Sequence, residues 1–331
     1  MVSRIVLCFV LVAGISCSGA AGDGQERVSS AARKDTIGDA AVPKENWGAL
    51  EDTKTGLESY TPALVSSDQQ AEFVRELVRV QWRVGDPIDL WIVRPKTAGK
   101  VPLILYLYSY PLDPQQFRDD GWCKRATADG FAAIGFVSAM TGSRYRMRPM
   151  KEWFVSELPE ALGSSVHDVE LILNYLSSRN DLDMNHVGMF GMGSGGTIAI
   201  LAASVDPRIK SLDVLDPWGD WPDWMKESPA VPESERERYE NEGFLKSVAI
   251  FDPINCLPSL KTRNVRVQQT VTDPVTPKSA KDKIAGSVPN QKELVRYANP
   301  EEHLKAWQTG GLSGWIKDQL NAPPALISNS Q

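Results

Sequence analysis

VGMFGMGSGGTIAILAA, residues Val187 to Ala203, is an apolar strand, a glycine turn and an apolar helix in one run. Val187, Met189 and Phe190 supply the kind of near-continuous apolar segment that a strand covered on both faces of a parallel sheet requires. Ile198, Ala199, Ile200, Leu201 and Ala202 leave their helix with no polar face, so it has to lie against a sheet. Between the two, Gly191, Gly193, Gly195 and Gly196 admit positive φ and let the helix come close to the strand. A strand that feeds a helix in this way points to an α/β fold with a mostly parallel sheet flanked by helices.

The run resembles the nucleophile elbow of the α/β-hydrolase superfamily, GxSxG between a strand and a helix. The likeness is to its dienelactone-hydrolase, acetyl-esterase and prolyl-oligopeptidase branch. Aligned on the strand and on Gly195-Gly196, the elbow is Gly191-Met192-Gly193-Ser194-Gly195, and the nucleophile position holds Gly193. A frame shifted by one, Met192-Gly193-Ser194-Gly195-Gly196, restores a serine but puts Met192 where the turn wants a glycine. Two readings follow. Ser194 is a displaced nucleophile, about 100° further round the helix, or the chain is a catalytically inactive member that binds a ligand or serves as a scaffold.

Working outward, Val78, Val80, Trp82 and Val84 alternate with Arg79, Gln81 and Arg83. Gly85-Asp86-Pro87 interrupts, and Ile88, Leu90 and Ile92 resume the alternation, which predicts an antiparallel hairpin. VPLILYLY, Val101 to Tyr108, predicts a central strand. The resemblance implies an oxyanion amide from the loop after it, here Tyr108, Ser109 and Tyr110, with Gly193 and Gly195 on the other side. Pro114 to Gly130 reads as helical, and Phe131 to Ser138 as the next strand. Arg144, Arg146 and Arg148 follow that strand's carboxyl end, the side on which open α/β sheets bind ligands. Ser165 with Asp168 has capping-box spacing ahead of a helix carrying Val169, Ile172, Leu173 and Leu176.

Leu212 to Leu215 predicts another strand, and about 217–260 reads as a cap insertion. Trp218 and Trp221 are expected there either as an apolar substrate wall or as packing within the cap. Val265 to Val271 is a further strand. Asp273, in Asp273-Pro274-Val275-Thr276-Pro277, resembles the family's triad acid. His303 follows the last strand, Leu294 to Tyr297, near where the family places its histidine. The resemblance then implies Ser194 attacking an acyl carbonyl, His303 as base and then acid, and Asp273 orienting the imidazole. His167 and His186 fall outside that pattern. The implied substrate is a small carboxylic ester or short peptide, and no cofactor or metal is expected.

Composition narrows the rest. The formal net charge of -6 is a poor match for nucleic acid. Residues 1–20 have Arg4, an apolar run Ile5 to Ile15 and a small-residue end, the layout of a secretory signal peptide. Export follows as the expected localisation, with a membrane link only if Cys17 is lipidated. Residues 21–59 read as a flexible tail, 60–320 as the hydrolase domain and 321–331 as a C-terminal tail. Cys123 and Cys256 are either a disulfide or two separate thiols.

Overall fold

The structure, a computed structural model, describes residues 45–51, 59–112, 114–140, 155–290, 292–310 and 313–321. The chain divides between Val42 and Pro43, and every described residue belongs to the second unit. The signal-peptide segment, Cys17, Arg144, Arg146, Arg148 and residues 322–331 lie outside the described residues.

Strands β1 (Ala63–Gln69), β2 (Phe73–Arg83), β3 (Asp86–Pro95), β4 (Val101–Leu107), β5 (Ala132–Phe136), β6 (Leu182–Met192), β7 (Ile209–Leu215), β8 (Asn264–Thr270) and β9 (Glu293–Tyr297) form one sheet. Its order is β1-β2-β3-β5-β4-β6-β7-β8-β9. The pairings β1·β2, β2·β3 and β3·β5 are antiparallel, and every other pairing is parallel. The predicted hairpin is β2 with β3. Parallel pairing needs crossovers, supplied by α1 (Asp120–Thr127), α2 (Leu158–Ser177), α3 (Ser194–Val205), α4 (Trp221–Glu227), α5 (Glu242–Val248) and α6 (Lys278–Ser287). Two more helices, α7 (Pro300–Gly310) and α8 (Gly314–Asn321), follow β9.

The sheet divides the core in two. On one face Leu103, Leu105, Val187, Met189, Leu212 and Val214 pack with α2, α3 and the cap. On the other, Ile104, Tyr106 and Ala133 pack with α1 and with Ile316 and Leu320 of α8. Cys123 belongs to the second cluster and Cys256 to the first. Both are free buried thiols, and the sheet between their clusters keeps them apart.

Three expectations are corrected. Ser165 and Asp168 do not start a helix, because α2 begins at Leu158 and both residues are buried within it. Each side chain is taken by a tertiary partner: Ser165 Oγ accepts from Ala139 N, and Asp168 accepts from Trp82 Nε1 and pairs with Arg83. Within the stretch read as a flexible tail, Glu45 is docked, buried against Arg83 and His167. Hydrogen bonds from Arg83 and His167 outweigh burial there and hold the Glu45 carboxyl below its ordinary value. Trp218 and Trp221 are not an open wall. They are 4% and 1% exposed, with ring centroids 5.2 and 5.7 Å from that of Trp224, so the cap tryptophans spend their area on each other.

Candidate active site

The elbow forms where the glycines predict it. Gly193 takes φ 54° and ψ −123°, a conformation that costs an ordinary residue strain, and its N–H donates to Leu215 O at 2.9 Å. α3 starts at once with Ser194. A Cβ on Gly195 would stand 2.6 Å from Leu107 O, so only glycine lets α3 approach the end of β4 this closely. The turn is therefore built as an elbow, and its apex residue has no side chain.

Its neighbours have filled that place. A Cβ on Gly193 would lie 2.2 Å from Ser109 Oγ and 3.3 Å from Trp218 Nε1. Ser194, by contrast, is completely buried, and its Oγ accepts from Tyr110 N at 2.9 Å. That bond uses the loop amide expected to receive an oxyanion. The two elbow hydroxyls thus differ in kind: Ser109 is partly exposed and stands at the apex, and Ser194 is enclosed.

Asp273 and His303 do not meet Ser194. Asp273 accepts from Val275 N at 3.3 Å and Thr276 N at 3.0 Å, with Lys281 Nζ at 3.7 Å. His303 lies in α7 with its ring 5.1 Å from that of Tyr297, and its electrostatic neighbours are Asp213 and Arg266. Burial, together with the Arg266 charge, outweighs the Asp213 carboxylate and lowers the imidazole's pKa. Placing His303 inside a helix rather than on a short loop after β9 is what carries it to the other face of the sheet. The remaining histidines are committed elsewhere. His167 is buried between Glu45 Oε1 and Ala49 O, and His186 pairs with Asp183 on the N-terminal half of β6.

The Tyr108 side chain leaves the elbow for the opposite sheet face, where it lines a cavity with Gln116 and Phe190. The sequence reading missed Asp216. It follows β7 at φ 46°, directly after the Leu215 carbonyl that holds Gly193, and it accepts from Thr270 N at 2.6 Å. Burial, then the nearby Asp273 charge, push its carboxyl up to about 6, against the pull of Thr270 and Lys281. The Asp216-Pro217 strand end was the available signal. Among the described residues no group of His, Cys, Asp and Glu could hold a metal ion.

Residues 85–314 match the family model of the X-Pro dipeptidyl-peptidases, the S15 family. The chain belongs to that family. It is a hydrolase family, and this S15 chain has the α/β-hydrolase fold. Acetyl xylan esterase from Paenibacillus sp. R4 is similar at 20% identity and a TM-score of 0.60, over 82% of this chain and 91% of that one. S-formylglutathione hydrolase from Agrobacterium tumefaciens aligns at 11% and 0.56, over 78% of this chain and 99% of that one. Oligopeptidase B from Leishmania major aligns at 15% and 0.57, over 76% of this chain but 37% of its own length. At such identities the likenesses show the fold. No curated protein sequence matches the S15 chain.

Proposed function

We propose that the protein is an exported hydrolase of small carboxylic esters in which Ser109, rather than Ser194, is the attacking hydroxyl. The observation that carries this is the position of Ser109 Oγ, 2.2 Å from where the elbow side chain would begin. Ser109 Oγ adds to the acyl carbon and its proton passes to the carboxylate of Asp216, the residue that follows the Leu215 carbonyl holding Gly193. Negative charge on the carbonyl oxygen collects at the start of α3, where the first N–H groups lack helical partners. The alcohol leaves with the proton, and water then releases the acid and restores Ser109. A carboxylate of pKa about 6 is a usable base near neutrality. It is a weak one for amide cleavage, which is why esters are favoured over peptides.

A second reading is a ligand-binding member without turnover. It is favoured by the placement of all three histidines of the chain away from the elbow. Labelling the purified mature protein with a fluorophosphonate, followed by peptide mapping, separates the two. An adduct on Ser109, lost in Ser109→Ala and retained in Ser194→Ala, is the expected result. An adduct on Ser194 returns the chemistry to the shifted frame, and none on a folded protein supports the binding reading. Export rests on residues 1–20 and is tested by N-terminal sequencing of the mature chain. Acyl labelling of Cys17 tests lipidation.

A further inference from the structure

A cavity of about 520 Å³ lies on the sheet face away from α3, under α7 and α8. Its size is within the range of about 300–1,000 Å³ typical of small-ligand sites. One cross-strand row makes its floor: Tyr106 pairs with Phe190, Phe190 with Asp213, and Asp213 with Arg266. Arg266 Nε and Nη2 hold Asp213 at 3.0 and 2.7 Å. Gln268 Nε2 donates to Asp213 Oδ1 at 2.7 Å, and Tyr297 OH donates to Gln268 Oε1 at 2.8 Å. Trp315 covers Arg266 with the guanidinium 4.8 Å from its ring, and is fixed by its own Nε1 donating to Glu293 Oε2 at 2.7 Å. Trp307 and His303 close the α7 side.

This floor has polar capacity left over. Arg266 Nη1 and both ring nitrogens of His303 have no hydrogen-bond partner among the described residues. The α7 helix buries none of its own residues, and Trp307 of that helix is partly exposed where it lines the cavity. None of this belongs to the elbow: Ser109, Gly193, Ser194, Asp216 and Asp273 are absent from the cavity wall.

We propose that this cavity binds a neutral saccharide ring. Three observations choose the ligand class. The Arg266–Asp213 pair is already neutral, so a ligand anion would be set beside a buried carboxylate, whereas hydroxyls add no charge. The unspent groups include donors and an imidazole that both donates and accepts, which matches hydroxyl chemistry. Trp307 and Trp315 line the cavity and are partly exposed, and an indole face takes the C–H side of a puckered ring.

The inference does not rest on Ser109, and binding is read without turnover, so its failure is distinct from that of the hydrolase reading. The full mature chain is titrated with glucose, maltose, cellobiose and xylobiose, then with benzoate and adenosine, by calorimetry and tryptophan fluorescence. At least one of the four sugars is expected to bind saturably at millimolar concentration or below, with a fluorescence change. Trp307→Ala at this partly exposed position is expected to weaken it about tenfold, and Trp307→Phe to restore most of it. Unchanged melting temperatures keep the comparison fair. Binding of benzoate or adenosine without any of the sugars, or of none of the six, overturns the assignment, as does a Trp307→Ala protein that binds normally.

Discussion

The two regions at the sheet's opposite faces manage polar groups in opposite ways. At the elbow the chain consumes its own chemistry: Ser194 Oγ takes Tyr110 N, Thr197 Oγ1 donates to Trp218 O, and Asp216 takes Thr270 N. Under α7 a buried ion pair is neutralised in place, and donors and an acceptor are left over beside it. An enclosed hydroxyl stabilises, and an unspent donor beside a cavity costs stability unless a ligand or water meets it. Ser194 has thus been made part of the core while Ser109 stays partly exposed at the apex, and the opposite face holds a cavity with polar groups unpaired among the described residues.

The largest effect is expected where the elbow is tightest. Gly193→Ser restores a serine to the apex but brings its Cβ to 2.2 Å from Ser109 Oγ and 2.7 Å from Ser109 Cβ, at φ 54°. Overpacking and backbone strain together amount to about 3–5 kcal/mol. Ser109→Gly added to it removes the clash and is expected to recover at least half. Chemical denaturation of the two single variants and the double variant measures the coupling, and an additive cycle would show that Ser109 does not occupy the apex.

Arg266→Leu tests the other region with a slightly smaller loss. It strands Asp213, which is 1% exposed, and breaking such a pair costs about 3 kcal/mol at neutral pH. Burial already raises the Asp213 pKa while Arg266 and Gln268 oppose it, so losing Arg266 raises it further. A folded-state pKa above the unfolded value means the native form holds its proton longer. The destabilisation must therefore grow as pH rises from the unfolded carboxylate range and shrink on acidification. A loss independent of pH would mean that packing of Trp315, not the charge, is what Arg266 supplies.

Asp216→Asn reverses the sign. Its carboxyl is pushed up to about 6, so ionisation works against the fold between the unfolded value and that pH. Asparagine keeps the acceptor for Thr270 N and removes the charge, for an expected gain of about 1–3 kcal/mol at pH 7 and none at pH 4. Ester turnover, which under the proposal rises with pH through about 6, is expected to be lost in the same protein. A variant that is both more stable and fully active would remove Asp216 from the reaction.

How much of this the sequence carried depended on the range of the interactions. The elbow, the strands from Val101 to Tyr297 and the hairpin were legible because apolar period and glycine placement are local signals. The sites of Ser194 and His303 were not, because they turn on whether Ser109 fills the apex and on which face of the sheet α7 covers. Asp213 within LDVL and Arg266 within VRV did carry a signal, opposite charges inside buried strands. Only the β7·β8 register shows that they are partners.

Ser194→Ala gives the smallest effect and the sharpest test of the elbow's present role. The variant removes one hydrogen bond and leaves Tyr110 N without its acceptor, at a cost of about 1 kcal/mol. It also frees the Tyr110 amide as a further donor for an oxyanion beside the start of α3. If Ser109 attacks, freeing that amide should leave ester turnover intact or raise it, whereas a nucleophilic Ser194 would take all activity with it. Rates and melting temperatures of the same preparation decide between these, because the stability loss is similar under both and only the direction of the rate differs.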